Sequence, residues 1–464
     1  MPKEPQRLTR TIGVGGATAI TLSVISPAIA VFVVASVVVT GAGSGSVWCF
    51  LAAALVGICL AFCYAELAAA FPSAGGPYVL VGRAMGPAAG FAMLALAVLQ
   101  FVIPAILAQG AASYLDAVIS GAGSRFTSAA LIILASLISM CTIKVNVFVT
   151  GAFLILEIAL LASLSILGFV HVHRPLSSVL THPQVIAPDG ALSGTSFNVI
   201  LTFTAVALFA YGGYETPAYL SEETRGSSRN VAWAILLSFA ITVIAEAIPV
   251  TAIVVGAPSL VELGQSESPI TYFLSSVSDP WFHDMVSIGV ALAAFNLLVG
   301  VLILLSRLLY GTARDRAWPD PVRRGMVRLH PKYATPITAN IASTIVALGF
   351  LFVPQSGLIQ FIGASATFAY ILVALAALVG RLRHRTDRSP YRMPLWPLPP
   401  LLALVALGYV IKTQTAANLL WPLGLMTAAI LYYLLHLRSR DDRWLLTSPE
   451  NDRNTPPRQG TGDN

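Results

Sequence analysis

The sequence predicts an all-α integral membrane protein with twelve transmembrane helices. Of its 464 residues, 56% are hydrophobic and only 10% are charged, and about a dozen apolar runs have membrane-crossing length. Soluble domains carry roughly 25% charged residues, whereas one helical crossing of the hydrocarbon core needs about 20 apolar residues. Composition and run length therefore point to the same class.

The helices are predicted directly from the apolar runs. In chain order their bounds are 12–39, 45–71, 86–119, 126–145, 149–171, 196–220, 229–255, 284–315, 337–353, 356–380, 394–412 and 417–437. The first ten form a core, residues 12–380, and helices 11 and 12 (394–437) lie outside it. Residues 1–11 and 438–464 are predicted cytoplasmic flanks, the second disordered because it is rich in Pro, Asn and Asp. The outward loops 171–196 and 256–283 have room for short helices.

Two of the predicted helices contain interruptions. Ser26-Pro27-Ala28-Ile29-Ala30 breaks the first, and Gly212-Gly213, followed by Glu215, breaks the sixth. Each interrupted helix opens a block of five, 12–171 and 196–380. Because five is odd, the two blocks have opposite orientations, which is the pattern of a five-plus-five inverted repeat.

The interruptions predict a binding site for a small charged solute. Irregular backbone at membrane depth is tolerated where it is buried in protein or lines a wet cavity. Half-helix ends leave N–H and C=O groups unpaired; N–H groups suit a carboxylate and carbonyls suit an ammonium. An amino acid carries both charges. The alternatives are a flexible hinge at Gly212-Gly213 and an ordinary kink at Pro27.

Glu215 is an ionisable residue within a predicted span, which marks it as a functional candidate. Burial favours the neutral form of a carboxyl group, so Glu215 could take a proton at one face and lose it at the other. The alternative is a carboxylate tied to neighbouring helix ends.

Charge distribution predicts the orientation. If Met1 is cytoplasmic, all of the 27 Lys and Arg residues except Arg125, Arg174 and Lys412 lie on the cytoplasmic side. This is the positive-inside pattern. It predicts a cytoplasmic (inner) membrane protein with both termini inside. The net charge of +6 is explained by this distribution and does not indicate a nucleic-acid partner. The four cysteines lack zinc-site spacing. With no ATP-binding loop, zinc-protease motif or cofactor fingerprint, we predict no enzyme activity, cofactor or metal.

Three segments resemble amino acid–polyamine–organocation (APC) superfamily permeases. Tyr64–Tyr78 (YAELAAAFPSAGGPY) resembles the signature after their second span. Phe209–Glu215, with Glu222–Arg225, resembles their sixth span and its exit, and Ser306–Pro319 their eighth-span exit. The resemblance extends to about residue 437.

This resemblance implies a substrate head group held between the two interruptions. It also makes Phe209 resemble an aromatic gate and Glu215 the proton-responsive carboxylate. One departure is that Ala28-Ile29-Ala30 replaces a Gly-Ser-Gly-like turn. The candidate substrate-binding residues are Ser26, Pro27, Ala28, Ile29, Ala30, Val31, Phe209, Ala210, Tyr211, Gly212 and Gly213.

A second departure is Glu157 in span five, about where many proton-coupled members carry a lysine that stands in for a sodium ion beside spans one and eight. Glu157 could bind a proton or cation, or simply face Ser or Thr across the bundle. Further candidates are Gln100, Asn296 and Ser306, whose alternative role is hydrogen bonding between helices. Glu66 is predicted to be an ion pair or loop anchor, and Asp116 and Glu246 to lie near the wet interface.

The predicted function is secondary active transport of amino acids or related amines by alternating access, coupled to protons. The alternatives are an amino acid or amine exchanger and a non-transporting membrane sensor with the same fold. The implied partners are the substrate, protons and the lipid bilayer. The sequence favours no particular oligomeric state.

Overall fold

The computed structural model describes residues 10–116, 118–187, 190–266, 268–414 and 416–438. Residues 1–9 and 439–464, which make up most of the two predicted cytoplasmic flanks, lie outside the described residues. The disorder predicted for the second flank therefore stays a prediction.

The described chain is mostly helical, because in a bilayer a helix satisfies its backbone polar groups internally. The α-helices are α1 Val14–Ile25, α2 Pro27–Ile29, α3 Ser36–Ala42, α4 Ser46–Ala70, α5 Pro77–Met85, α6 Pro87–Leu99, α7 Ile103–Asp116, α8 Arg125–Ser139, α9 Ile143–Val170, α10 Leu176–Thr181, α11 Phe197–Ala210, α12 Thr216–Tyr219, α13 Arg229–Gly256, α14 Leu260–Gln265, α15 Pro269–Val277, α16 Pro280–Arg314, α17 Asp320–Met326, α18 Ile337–Phe350, α19 Gln355–Leu382, α20 Leu398–Thr413 and α21 Ala416–Tyr432.

Shorter segments connect or extend these helices. Ala30–Ala35 and Tyr433–Leu437 are π-helical, and Gly43–Gly45 and Gln100–Val102 are 3₁₀ turns. The strands β1 (Gln184–Ile186) and β2 (Leu192–Gly194) form an antiparallel hairpin with Gln184 opposite Gly194.

Seven helical stretches in the described residues are long and apolar enough to cross a membrane. They are Val14–Ala70, Pro87–Asp116, Ile143–Val170, Arg229–Gly256, Asp284–Arg314, Ser365–Leu382 and Leu419–Leu437. Four shorter apolar helices accompany them: Arg125–Ser139, Phe197–Ala210, Ile337–Phe350 and Leu398–Lys412. Val14–Ala70 contains the first two predicted spans, joined through the turn Gly43–Gly45. An all-α membrane protein is thus confirmed, while the count of twelve spans and the inverted repeat stay predictions.

Helix boundaries lie at both predicted interruptions. Helix α1 ends at Ile25, Ser26 adopts a left-handed conformation (φ 49°), and α2 begins at Pro27. Helix α11 ends at Ala210, and a turn over residues 211–215 precedes α12.

Several short elements were not predicted from the sequence. The Pro- and Gly-rich stretch after α4 contains α5, which starts at Pro77 directly after Gly76 (φ 57°). The hairpin β1–β2 lies in the loop 171–196, and its strands are too short to give an alternating pattern. The short helices α10, α14 and α15 lie in the loops where room for them was predicted.

Helices α9 and α13 approach each other most closely near their C-terminal ends. A Cβ atom on Gly168 would lie 2.3 Å from the carbonyl oxygen of Ala252, and one on Gly256 would lie 2.5 Å from the carbonyl oxygen of Gly168. Small residues allow such close backbone contact between membrane helices. This contact fixes the spacing between α9, which carries Glu157, and α13.

Candidate substrate and coupling site

The first interruption separates α1 and α2 at Ser26. The Ser26 N–H donates to Leu22 O (2.8 Å), which ends the first half-helix, and the Ala30 N–H donates to Ser26 O (3.0 Å), which starts the second. Pro27 has no N–H to continue the α1 ladder. The left-handed backbone at Ser26 is uncommon for a residue with a side chain, so neighbouring groups must hold it.

Glu157 provides that support from α9. Its Oε2 accepts a hydrogen bond from the Ser26 hydroxyl (2.8 Å) and its Oε1 accepts one from Asn296 Nδ2 (2.8 Å). The backbone N–H of Ala28 is a third donor. Only 2% of Glu157 is exposed, and Ser26 and Asn296 are fully buried. Four of the candidate residues therefore form one cluster, here called the Glu157 cluster (Ser26, Ala28, Glu157 and Asn296).

The Glu157 cluster changes the interpretation of the α2 N-terminus. A carboxylate is favoured beside the N–H groups that open a helix. The resemblance places the substrate carboxylate near this point, yet the Ala28 N–H and the Ser26 hydroxyl already donate to the protein's own carboxylate.

The second interruption is stabilised by its own residues. The Gly212 N–H donates to Phe209 O (3.0 Å), and the Gly213 N–H donates to the carboxylate Oε2 of Glu215 (3.1 Å). Thr216 closes the turn, since both its N–H (3.0 Å) and its hydroxyl (2.7 Å) donate to Gly213 O. Gly213 has φ 112°, a conformation that L side chains rarely adopt.

The two interruptions are adjacent in space. A Cβ atom on Gly213 would lie 3.0 Å from Cγ1 of Ile25, the last residue of α1. The end of the first half-helix therefore contacts the glycine pair of the second interruption.

Aromatic rings surround the second interruption. The Tyr64 and Tyr214 ring centroids are 5.9 Å apart, and the Tyr214 and Tyr370 rings stack at 6.5 Å. Phe239 of α13 packs edge-on against both Tyr214 (5.2 Å) and Tyr211 (5.9 Å). We call Tyr64, Tyr214 and Tyr370 the tyrosine cluster. In this conformation the rings of Tyr211 and Tyr214 contact protein side chains, and the Tyr211 hydroxyl donates to Phe50 O (3.2 Å).

The remaining candidates vary in their surroundings. Phe209 is 48% exposed, whereas Pro27, Ala28, Ala30, Val31 and Ala210 are buried. Ile29 and Gln100 are partly buried, and Gln100 opens the 3₁₀ turn after α6. The Ser306 hydroxyl donates to Ile303 O within α16 (2.7 Å) and accepts from Arg307. Ser306 therefore belongs to a different part of α16 from Asn296.

Two ion pairs join the sixth-span exit to α16 at the predicted cytoplasmic side. Arg307, fully buried, donates from Nε and Nη2 to Glu223 (both 3.1 Å). Arg314 donates to both oxygens of Glu222 (2.7 and 2.8 Å), and the Ala74 N–H donates to Glu222 as well (2.9 Å). These residues lie in the segments that carry the resemblance, and no ion pair was predicted for them. A signal was available, since Arg307 and Arg314 lie two turns apart on one helix face.

Glu222 lies outside the membrane-spanning segments. Burial alone would raise the pKa of its carboxyl, but the hydrogen bonds and charge of Arg314, with the Ala74 N–H, outweigh burial and lower that pKa below its ordinary value. Glu222 is therefore held as a carboxylate.

The amino-terminal segment lies across the same exit. The N–H groups of Thr11 (2.8 Å) and Ile12 (3.1 Å) donate to Glu223 O, and the Arg225 N–H donates to Ile12 O (2.7 Å). The three segments that carry the predicted resemblance meet here: the loop after α4, the sixth-span exit and the end of α16.

A family model described as amino acid permease matches residues 12–437. The chain belongs to the amino acid permease family. This match confirms the predicted resemblance to APC superfamily permeases, and with the apolar helices it identifies a multi-pass membrane protein.

Three relatives support the same conclusion. The chain is 22% identical to the methylthioribose transporter of Bacillus subtilis over 86% of its own length and 87% of that protein. It is 26% identical to the branched-chain amino acid permease BcaP of Lactococcus lactis, over 80% and 82% of the two chains. It is 25% identical to human cationic amino acid transporter 4, over 82% of its own length and 59% of that protein. Family and relatives indicate an amino acid transporter rather than an enzyme.

A cavity of about 360 Å³ lies on the opposite side of the first interruption from the ion pairs. It is lined by one face of the segment Ala30–Ala42, which follows the first interruption, together with the end of α7 and the start of α15. Its lining residues are Phe32, Val33, Ser36, Val37, Thr40, Tyr114, Ser268 and Pro269. Phe32 is the lining residue nearest in sequence to the Ser26 interruption.

Two further carboxyl groups have contrasting environments. Glu66, at the end of α4, accepts from Arg381 (3.1 and 2.9 Å) and from the Met393 N–H (2.7 Å), so the predicted loop anchor is confirmed. The expectation that Glu246 lies near the wet interface is wrong. Glu246 is fully buried within α13, because apolar runs alone do not tell which face of a helix packs against protein.

Proposed function

We propose that this permease is a secondary active transporter that moves amino acids or related amines across the cytoplasmic membrane by alternating access, coupled to protons. The observation that carries the proposal is the contact between two helix interruptions at Ile25 and Gly213. Discontinuous helices that meet within the membrane are how secondary transporters build sites for small charged solutes. The substrate head group binds between Ser26–Val31 and Phe209–Gly213.

The relatives support the substrate class. Two of those compared are named for branched-chain or cationic amino acids and one for methylthioribose. The aromatic and aliphatic surroundings of both interruptions suit a small amino acid more than a polyamine, whose several charges would call for a cluster of acidic groups.

Glu157 and Glu215 are the proposed coupling groups. Glu157 fastens the first interruption to α9 and α16 through three donors. Hydrogen bonds to a charged acceptor contribute about 1.5–3 kcal/mol each. Protonation would weaken them and release the Ser26 segment from α9. Glu215 accepts the Gly213 N–H, so its protonation acts on the second interruption.

The cavity and the ion pairs support an outward-open, inward-closed conformation. The cavity lies outside the interruptions, whereas Glu222–Arg314, Glu223–Arg307 and the amino-terminal segment close the opposite side. Alternating access then requires the two ion pairs to separate while the outer cavity closes.

Uptake by proteoliposomes tests this function. The purified permease is reconstituted and offered a panel of radiolabelled amino acids and amines, with and without an inward proton gradient. We expect accumulation of at least one substrate that collapses when a protonophore is added. Counterflow without gradient-driven accumulation would identify an exchanger, and binding without uptake or counterflow would identify a sensor. Neither binding nor uptake across the panel would contradict the proposal.

A further inference from the structure

Three carboxyl groups within the spans differ sharply in their hydrogen bonding. Glu157 accepts three hydrogen bonds from other helices, and Glu215 accepts backbone N–H groups of its own turn. Glu246 is 0% exposed, and neither of its carboxyl oxygens accepts a hydrogen bond from any residue the structure describes. Glu246 therefore needs a different explanation from the other two.

Glu246 lies on the face of α13 that packs against the second interruption. Phe239 precedes it by two helical turns and so lies on the same face. The Phe239 ring contacts Tyr211 and Tyr214, and a Cβ atom on Gly57 of α4 would lie 2.6 Å from the same ring. Glu246 therefore shares a face of α13 with the residue that contacts the second interruption.

No cation faces Glu246 from the described helices that pack on α13. On α9, Lys144 is exposed in the first turn, and Glu157 is engaged in its own cluster. Arg174, in the loop after α9, contacts the Val254 carbonyl two turns nearer the outer end of α13. Helix α1, α2 and the segment Ala30–Ala35 carry no titratable side chain.

The other titratable neighbours are weak acids or are already paired. On α4, Glu66 is neutralised by Arg381. Around the second interruption Glu215 accepts the Gly213 N–H, and on α15 Tyr272 donates to Glu262. The rest are the thiols and phenols of Cys49, Cys59, Cys63, Tyr64, Tyr211, Tyr214 and Tyr219. None of these groups can balance a negative charge on Glu246.

An ionised carboxylate in such surroundings is very costly. Transfer of an unpaired charge to an apolar interior costs many kcal/mol, and buried groups usually neutralise instead. A protonated carboxyl carries no net charge and avoids most of this cost. The geometry therefore requires the neutral acid in the conformation described.

We infer that Glu246 is a proton-binding group of the transport cycle, protonated in this conformation and ionised in one that opens it to water. On opening, its O–H bond breaks, the proton passes to water on the accessible side, and the carboxylate stays on the helix. Reprotonation from the other side resets the cycle. The coupling role rests on the proposed function, whereas the protonated state rests on burial alone.

Glu246→Gln tests the coupling role, because the amide has nearly the same shape but cannot ionise. We expect it to keep substrate-induced thermal stabilisation and counterflow and to lose gradient-driven accumulation. Glu246→Asp, which keeps a carboxyl, should restore accumulation with a shifted pH dependence. Glu262→Gln is the matched control, since it removes an exposed loop carboxylate and should leave accumulation unchanged.

Infrared difference spectroscopy tests the protonated state without any transport. The purified wild-type permease at neutral pH should show a protonated-carboxyl C=O band that Glu246→Gln removes. A wild-type protein without this band, or a variant that keeps it, overturns the inference. If the wild type accumulates substrate and Glu246→Gln accumulates it equally, the coupling role of Glu246 fails and the proposed function stands. If the wild type transports nothing in the panel, the proposed function itself fails.

Discussion

The two helix interruptions are stabilised in opposite ways. At Ser26 a residue with a side chain adopts a left-handed backbone conformation, and its hydroxyl is held by Glu157 of α9, a helix distant in sequence. At Gly213 the chain uses a residue without a side chain, and Glu215 two residues away bonds to its N–H. The first interruption therefore depends on tertiary contacts, whereas the second is largely encoded in its own sequence.

This difference separates what substitutions should do. A change in the Glu157 cluster should loosen the first interruption and lower the stability of the whole bundle. A change in Gly212 or Gly213 should distort the second interruption locally and act mainly on the binding site.

The largest effect is expected from Gly213→Leu. A side chain here would adopt φ 112° and place its Cβ 3.0 Å from Ile25. Such backbone strain costs about 1–3 kcal/mol, and the leucine would also press against Ile25 where the two interruptions meet. We expect loss of substrate-induced thermal stabilisation and of uptake. The control is Gly151→Leu, because a Cβ on Gly151 meets nothing within 4 Å. A Gly213→Leu protein that still binds its substrate normally would contradict the assignment of the site.

Glu157→Ala should have the next largest effect, a loss of folding stability. It leaves the Ser26 hydroxyl, the Ala28 N–H and Asn296 without their acceptor. Each unsatisfied buried donor costs about 1–3 kcal/mol, so we expect a loss of about 3 kcal/mol or more, measured by thermal or denaturant unfolding in detergent.

Glu157→Gln provides the graded comparison, since its amide keeps one acceptor oxygen. It should lie between Glu157→Ala and the wild type. Equal stability of all three proteins would show that the first interruption does not depend on this cluster.

Gly212→Ala should lower the stability by a smaller amount, and a second substitution should restore part of it. The added Cβ would lie 2.8 Å from the Tyr370 hydroxyl and 3.1 Å from Phe209 O. Overpacking of this kind costs about 1–3 kcal/mol. Tyr370→Phe removes the hydroxyl, so the double variant should recover part of the lost stability. A double-mutant cycle from unfolding data measures this coupling, and purely additive effects would contradict the close contact.

The smallest expected effect is a loss of folding stability at acid pH. It originates at Glu222, just beyond the second interruption. The pKa of Glu222 is lowered in the folded protein, so its contribution is fully present above the unfolded value near 4.3 and is lost as the pH falls through the folded pKa. Unfolding of the wild type should therefore become easier as the pH drops below about 4.3. Glu222→Gln should lack this part of the pH dependence. An identical loss at acid pH in both proteins would assign it to other groups.

The sequence predicted the helices better than the contacts. Long apolar runs gave most of the span positions to within a few residues, and Pro27 and the glycine pair marked both interruptions. The resemblance places Glu157 beside spans one and eight. The sequence does not predict its hydrogen bonds to Ser26 and Asn296, which lie 131 and 139 residues away along the chain. It also misplaced Glu246, because an apolar helix in a bilayer has no polar face that reveals its orientation.

Short elements and ion pairs were missed for related reasons. Helix α5 follows a Pro- and Gly-rich stretch that is typical of a loop. The Arg307–Glu223 pair joins α16 to the turn between α12 and α13, 84 residues away. The spacing of Arg307 and Arg314 marks one face of α16 but does not identify the acidic partners.

The backbone pairing of Thr11 and Ile12 with Glu223 and Arg225 has a practical consequence for shortened or tagged versions of the permease. A chain that starts at Arg10 retains all three of these hydrogen bonds, whereas one that starts at Gly13 loses two donors and one acceptor at the sixth-span exit. Deletions from the amino terminus should therefore stop before Thr11.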